Sequence, residues 1–273
     1  MRTFATGSSG TIGRYFPSLV IPLEIDLKAD FDEFEKIQFD KMDVVIHAAA
    51  IVGPSVVEKD IKSAKEVNIE GTRKLGLTAL KKGIGKFVYI SSSHVYKFGP
   101  EFLNESDEVS PVNEYAKQKY EGEQVLRDTF SEFPERLCII RAFSILDWGM
   151  PEFSLGGAVE KLANNSSDFV LQNCDDIRDF LTPKQMAIKI YEISQFRDAN
   201  GLINLCSAKP TKVGEAVKQM LTDENLVIDD SRFLGGTSAI PRIVGDNSKL
   251  RALIPDIALD WQPSSRANSS EGR

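Results

Sequence analysis

Uninterrupted apolar runs alternate with amphipathic stretches along the first half of the chain. Val44-Val45-Ile46, Phe87-Val88-Tyr89-Ile90 and Leu137-Cys138-Ile139-Ile140 show no polar alternation, the pattern of strands buried on both faces of a parallel sheet. Thr3 to Ala5 is a shorter run, and Val20 to Asp26 reads as a second strand, set off by Pro17. Between these runs the apolar positions take helical spacing. Phe31, Phe34 and Ile37 set it over 30–37. A long helix is predicted over about 59–82, with Val67, Leu75 and Ala79 on one side, Asn68 and Gly71 interrupting it, and Gly83 and Gly85 closing it. Another helix is predicted over about 115–130. This order predicts an α/β fold, a Rossmann-like doubly wound parallel sheet.

After Arg141 the alternation loosens, and Gly149, Pro151, Gly156 and Gly157 mark a crossing into a different region. A helix near 182–194 and the strand Leu202 to Leu205 are expected to return to the sheet. The chain then divides into a dinucleotide-binding domain, 1–143 with parts of 180–206, and a small discontinuous substrate-binding region over 144–262. The Ser-rich residues 263–273 read as a flexible tail. The section between Gly13 and Asp43 is too short for two strands and a helix, so one strand is expected to be lost or shortened.

The first strand runs directly into Thr6-Gly7-Ser8-Ser9-Gly10-Thr11-Ile12-Gly13. Glycines at spacing three turn the chain tightly and let its backbone approach a phosphate, with the N–H groups of a following helix, to about Phe16, facing the anion. Gly7, Ser9, Gly10, Thr11, Ile12 and Gly13 are therefore candidate cofactor contacts. Asp26 follows at about the distance of a ribose-binding acid. The small residues Ala48, Ala49 and Ala50, after a strand end, allow a cofactor to lie on the backbone, while His47 reads as structural. The cofactor is NAD or NADP: Asp26 favours the first, and Arg14 offers a charge for a 2′-phosphate.

Ser92, Tyr115 and Lys119 are the catalytic candidates. Hydride transfer at a secondary alcohol needs a group that moves the hydroxyl proton, and Tyr115 and Lys119 lie one helical turn apart on one side. Lowering a tyrosine pKa from about 10 to about 7 takes roughly 4 kcal/mol of phenolate stabilisation. Lys119 and an oxidised nicotinamide ring are the expected suppliers, with Ser92 bonding the substrate oxygen. Tyr and Lys at this spacing also occur on ordinary amphipathic helices; the glycine turn and serine-rich strand end before them give the pair its weight.

Charge and composition narrow the partners. A net charge of −7 and a pI near 5.1, with no Lys/Arg run interleaved with aromatics, disfavour nucleic acid and membrane surfaces. The absence of an apolar run of about 18 residues or of a leader-like start gives a cytoplasmic expectation. Cys138, Cys174 and Cys206 lie far apart without a C-x-x-C, and with His47 and His94 as the two histidines no disulfide framework or metal site is expected.

Taken together, these motifs resemble those of the extended short-chain dehydrogenase/reductases of the nucleotide-sugar epimerase/dehydratase family. The glycine turn, His47-Ala48-Ala49-Ala50, Asn68-Ile69-Glu70-Gly71-Thr72, Ser91-Ser92-Ser93-His94-Val95-Tyr96 and Tyr115-Ala116-Lys117-Gln118-Lys119 each match a family element in order. The resemblance implies Ser92, Tyr115 and Lys119 as catalytic residues, Asn68, Tyr115 and Lys119 beside the cofactor, and Ser93 by the substrate. Arg178-Asp179-Phe180 resembles the element whose arginine holds a substrate diphosphate. Arg141-Ala142-Phe143-Ser144 departs from the family's R-P-x-N, leaving Ser144 in the substrate-contacting place. Segments 204–210 and 245–251 are most similar to those of GDP-4-keto-6-deoxy-mannose reductases. The implied activity is NAD(P)-dependent reduction of a 4-keto-6-deoxy nucleotide sugar. A 4-epimerase and a non-catalytic dinucleotide sensor are the alternatives, and a homodimer is compatible with all three. Ser93-His94 stands where a dehydratase resembles Asp-Glu, so dehydration is not expected.

Overall fold

The computed structural model describes residues 1–99, 101–165 and 169–267. The chain runs β1 (Thr3–Thr6), β2 (Val20–Pro22), α1 (Phe31–Glu35), β3 (Val44–His47), α2 (Pro54–Val57), α3 (Ile61–Lys65), α4 (Thr72–Lys81), β4 (Lys86–Ser92), α5 (Glu114–Thr129) and β5 (Leu137–Ala142). It continues through β6 (Ser144–Ile145), α6 (Leu155–Ala163), β7 (Ile177–Arg178), β8 (Phe180–Leu181), α7 (Pro183–Gln195), β9 (Gly201–Leu205), β10 (Thr211–Lys212), α8 (Val213–Asp223), β11 (Arg242–Ile243) and α9 (Ser248–Leu253). One parallel sheet has the order β2-β1-β3-β4-β5-β9. Every residue of the inner strand β4 is buried. Val88 and Ile90 enter the core with Ile46, Ile140 and Ile203, while Phe87 and Tyr89 enter the opposite core with Val45, Leu75, Leu126 and Phe130. Both cores thus use the period of two along one continuous apolar run.

Three expectations in the first half are corrected. β2 ends at Pro22, although the Leu23 N–H still reaches the Ala5 carbonyl at 2.7 Å, and residues 23–26 form a loop. No strand lies outside β2 among the described residues, which is the expected loss of a strand from the 3-2-1-4-5-6 order. The helix expected after the glycine turn is a single 3-10 turn, Gly13–Tyr15. Pro17 forces Phe16 into extended backbone (φ −60°, ψ 142°), so the helix has no room to grow. The long helix begins at Ile61 and contains a π-helical turn, Glu66–Gly71, between α3 and α4. That wider turn holds Asn68 in a buried position.

After β5, α7 packs on the core of the sheet and β9 joins the sheet, while other segments build a second unit beside the carboxyl ends of the strands. Its core joins Leu146, Trp148, Val159, Leu162, Val217 and Met220, and β10-β7-β11 forms a small sheet. The buried Asp179 carboxylate binds this unit to the chain after β9. It accepts the Ser207 N–H (2.7 Å) and hydroxyl (2.6 Å), the Ala208 N–H (2.9 Å) and the Gly245 N–H (3.2 Å). Within the stretch expected as a tail, the Ser264 N–H and hydroxyl bond Asp147 at 2.9 and 2.8 Å, and Arg266 pairs with Glu160 at 3.0 Å. Residues 268–273 lie outside the described residues. No helix among the described residues is long and apolar enough to cross a membrane.

α5 packs on β4 through Gly122, where an added Cβ would lie 2.3 Å from the Tyr89 hydroxyl. That hydroxyl is buried with no hydrogen-bond partner. Gly122→Ala is therefore expected to destabilise the protein by about 1–3 kcal/mol through overpacking, despite the roughly 1 kcal/mol helix preference of alanine over glycine. In a Tyr89→Phe background the same substitution should cost at least about 1 kcal/mol less, because the obstructing oxygen is gone. Urea unfolding of the four proteins measures this, and strictly additive effects would refute the packing argument.

Candidate active site

The glycine turn and the end of β3 press backbone on backbone. Gly7 has φ 74°, and a Cβ there would lie 2.7 Å from the Ala49 nitrogen; a Cβ on Gly13 would lie 1.9 Å from the Gly7 carbonyl oxygen. A chain of hydrogen bonds fixes this contact from beneath. The Ala49 N–H donates to Thr6 Oγ1 at 3.2 Å, Thr6 Oγ1 meets His47 Nδ1 at 2.7 Å, and His47 Nε2 meets Thr72 Oγ1 at 2.8 Å. The Thr72 hydroxyl gives its proton to the Asn68 carbonyl at 2.9 Å, so it accepts from Nε2–H, and Nδ1 accepts from Thr6. Burial, then the Lys119 charge, pushes the His47 pKa down to about 3. The imidazole is a neutral structural strut.

Above this floor opens a cavity of about 730 Å³. The turn lines it with Gly7, Ser9, Gly10, Thr11, Ile12 and Gly13, and β3 leads into it with Ala48, Ala49 and Ala50. Ser92, Ser93, Tyr115 and Lys119 form its inner wall, while Ser144 and Arg178 face it from the second unit. Two predicted contacts lie elsewhere. Asn68 is buried behind the wall, where its side chain accepts the Ile51 N–H (2.8 Å) and donates to the Ile51 carbonyl and Gln118 (2.9 Å each). It positions the loop that carries Val52 to Ser55 along the cavity. Asp26 is exposed in a smaller adjoining cavity of about 480 Å³ shared with Gly7, Ser9 and Glu24. Its Oδ1 accepts the Lys28 N–H at 2.9 Å. Arg14 lines neither cavity; its guanidinium lies 5.6 Å from the centroid of the Tyr15 ring.

A dinucleotide suits these residues because the closest contacts in the cradle leave no space for a side chain at Gly7 or Gly13. The phosphates would lie along backbone, since the one 3-10 turn supplies no full helix terminus. The nicotinamide end would reach Tyr115 and Lys119.

Asn113 caps α5 by accepting the Ala116 N–H at 2.8 Å, which sets Tyr115 in the first helical turn. Ser92 caps the following 3-10 turn by accepting the His94 N–H at 3.2 Å. Burial raises the Tyr115 pKa, and a hydrogen bond from Ser92 opposes the rise. In the protein alone the Lys119 charge is not among the causes of the Tyr115 shift. The Lys119 ammonium sits 4.7 Å from the centroid of the Tyr89 ring, and burial draws its pKa down to about 8 against the pull of Glu123. The positive end of a helix contributes at most about 2 kcal/mol, well short of a three-unit shift. Tyr115 therefore rests as a neutral phenol, ready to donate a proton.

Several lining residues carry no strong sequence signal. His94 faces the cavity with its ring 6.4 Å from that of Tyr115, and burial with the Arg178 charge lowers its pKa to about 4. Asp176 orients Arg178 through Nη2 at 2.9 Å and is itself held by the Ser238 N–H and hydroxyl. Asp176 lies just before β7, two residues from Arg178, and no sequence pattern marked it. The segments 204–210 and 245–251 meet around Asp179 and do not line the cavity.

Comparison with known proteins gives the family and the fold. A family model, NAD dependent epimerase/dehydratase family, matches residues 18–206. The chain is 24% identical over 272 residues to GDP-6-deoxy-D-talose 4-dehydrogenase of Aggregatibacter actinomycetemcomitans, covering 92% of this chain and 90% of that one. RMD from Pseudomonas aeruginosa complexed with NADPH superposes with a TM-score of 0.82 at 21% identity, over 99% of this chain and 98% of that one. The UDP-glucose 4-epimerase of Thermus thermophilus in complex with NAD gives 0.81 at 18% identity, over 100% and 99%. At these identities the structural likenesses establish the fold.

The two cations at the site make separate predictions. The reductive kcat/KM should be level below pH 8 and fall above it, as Lys119 loses its proton; Lys119→Met should be slower and lack that limb. A limb near pH 8 retained in Lys119→Met would assign it to another group. Arg178→Ala should raise the KM for a diphosphate-bearing substrate at least about tenfold while moving that for the dinucleotide less than about threefold. Equal effects on both would displace Arg178 from the substrate end.

Proposed function

We propose, for a chain that belongs to the NAD dependent epimerase/dehydratase family, the reduction of a 4-keto-6-deoxy nucleotide sugar in the cytoplasm. The protein is an enzyme, and its cofactor is NAD or NADP. The observation that carries the reductase reading is the placement of Ser92, Tyr115 and Lys119 together on the inner wall of the cavity that the glycine turn opens into, where burial raises the Tyr115 pKa and keeps its proton on the phenol. The reduced nicotinamide supplies a hydride when bound. Tyr115 gives its proton to the carbonyl oxygen as hydride reaches the carbon, so ketone, hydride and proton together make the alcohol. Ser92 holds that oxygen as charge develops on it. Arg178, braced by Asp176, takes the substrate's diphosphate. Glu24 and Asp26 place carboxylates beside Ser9 in the smaller cavity, which supports NAD over NADP.

A 4-epimerase would use the same residues but must keep its dinucleotide through every cycle. The short β2 and the single 3-10 turn leave few contacts for the adenosine half, a feature that supports exchange over retention. The purified protein should carry little dinucleotide and should oxidise NADH or NADPH one for one when given a 4-keto-6-deoxy nucleotide sugar. Tyr115→Phe should fold, bind cofactor and retain less than a tenth of the rate. Near-stoichiometric bound NAD, with two nucleotide hexoses interconverted and no cofactor consumed, would give the site to an epimerase.

A further inference from the structure

Behind the inner wall, on the side of α5 turned to the sheet, a carboxylate gathers the elements of the site. Glu123 is fully buried. Its oxygens accept the Ser91 hydroxyl at 2.6 Å, Arg141 Nε at 2.9 Å and Arg141 Nη2 at 2.7 Å, and Arg127 Nη1 lies 3.2 Å away. Ser91 precedes Ser92 on β4, and Arg141 leads along β5 toward Ser144. One turn back on α5 is Lys119, two turns back Tyr115.

A buried ion pair of this kind is no more stabilising than apolar residues of the same volume, so stability alone gives little account of its presence. Its geometry does more. The strand end carrying Ser92 and the helix carrying Tyr115 and Lys119 could slide past each other on an apolar contact, whereas a bidentate Arg141 and a short Ser91 bond admit one register. We infer that Glu123 is a positioning residue for catalysis: it fixes β4 and β5 against α5, setting the spacing of Ser92 and Tyr115, and it balances the buried Lys119 ammonium. This depends on the assignment of Ser92, Tyr115 and Lys119 made above.

The groups facing Lys119 give the second half of that role its sign. They are Tyr115 and Glu123 on its own helix, Tyr89 on β4 and the neutral His47 on β3. Burial opposes the charge on Lys119, and Glu123 favours it. Without the carboxylate the lysine should lose its proton at lower pH.

The test is Glu123→Gln, which keeps the shape and removes the charge. Titration of Lys119, followed by NMR on lysine-labelled protein and assigned through Lys119→Met, should move from a midpoint near 8 to at least one unit lower. With substrate, kcat should fall at least tenfold while both KM values stay within twofold. If Glu123→Gln does not fold, Glu123→Gln/Arg141→Met removes both partners of the pair and should show the same displaced Lys119 titration. An unmoved Lys119 midpoint, or kcat within twofold of wild type at pH 7, would overturn the inference. The NMR titration needs no sugar, so a displaced midpoint in a protein that turns over no 4-keto sugar would count against the reductase reading and support the electrostatic role of Glu123.

Discussion

The site depends on a contact between two stretches of backbone that admits no side chain. Gly7 and the Ala48-Ala49 segment lie so close that a single Cβ would overlap the chain opposite, and Gly13 lies closer still to the Gly7 carbonyl. Apolar packing could not hold such a contact at one register. The Thr6-His47-Thr72-Asn68 chain does, because each hydroxyl accepts one hydrogen bond and donates another, and each ring nitrogen has the single role its neighbour assigns. The same Asn68 bonds Ile51 and Gln118, so the π-helical turn that buries it also places the loop along the cavity and touches the helix that carries Tyr115.

Charge is arranged around this frame in layers. Nearest the cavity, burial holds Tyr115 and His94 neutral, with the Arg178 charge adding to the effect on His94, while Arg178 keeps its charge at the outer end, paired with Asp176. Behind them the buried Lys119, Glu123 and Arg141 lie at the junction of α5, β4 and β5. Neutral groups where the proton moves and fixed charges behind them suit a reaction that creates transient negative charge on oxygen, since fixed dipoles and ions need no reorganisation during the step. Asp179, with four hydrogen bonds from the chain after β9 and from Gly245, holds the second unit over this arrangement.

Much of this was legible in the chain. Strands buried on both faces announce themselves as apolar runs, and β3, β4 and β5 stand where those runs do. The glycine spacing and the Tyr115–Lys119 pair were readable because each is a local pattern. What the sequence hid was non-local or too short to have a period. The ion pair of Glu123 and Arg141 joins two elements with nothing between them in the pattern, and two-residue strands such as β7 and β8 show no alternation. The interruption at Asn68 and Gly71 marked the place of the π-helical turn without showing its wider pitch. The 3-10 turn was hidden for another reason: glycine spacing signals a helix, and Pro17 overrules it a few residues later. Segments 204–210 and 245–251 lie far apart in sequence, so their meeting around Asp179 was not legible either.

The central claim is that hydride passes from the dinucleotide to the sugar and stays there, with Tyr115 giving the proton. The most direct measurement uses reduced dinucleotide deuterated at the transferred position, with a 4-keto-6-deoxy nucleotide sugar as acceptor and the product examined by NMR. The account predicts one deuterium at C4 of the product sugar for each dinucleotide oxidised. Protium at C4, or label retained in a dinucleotide that stays with the protein while hexoses interconvert, would contradict it.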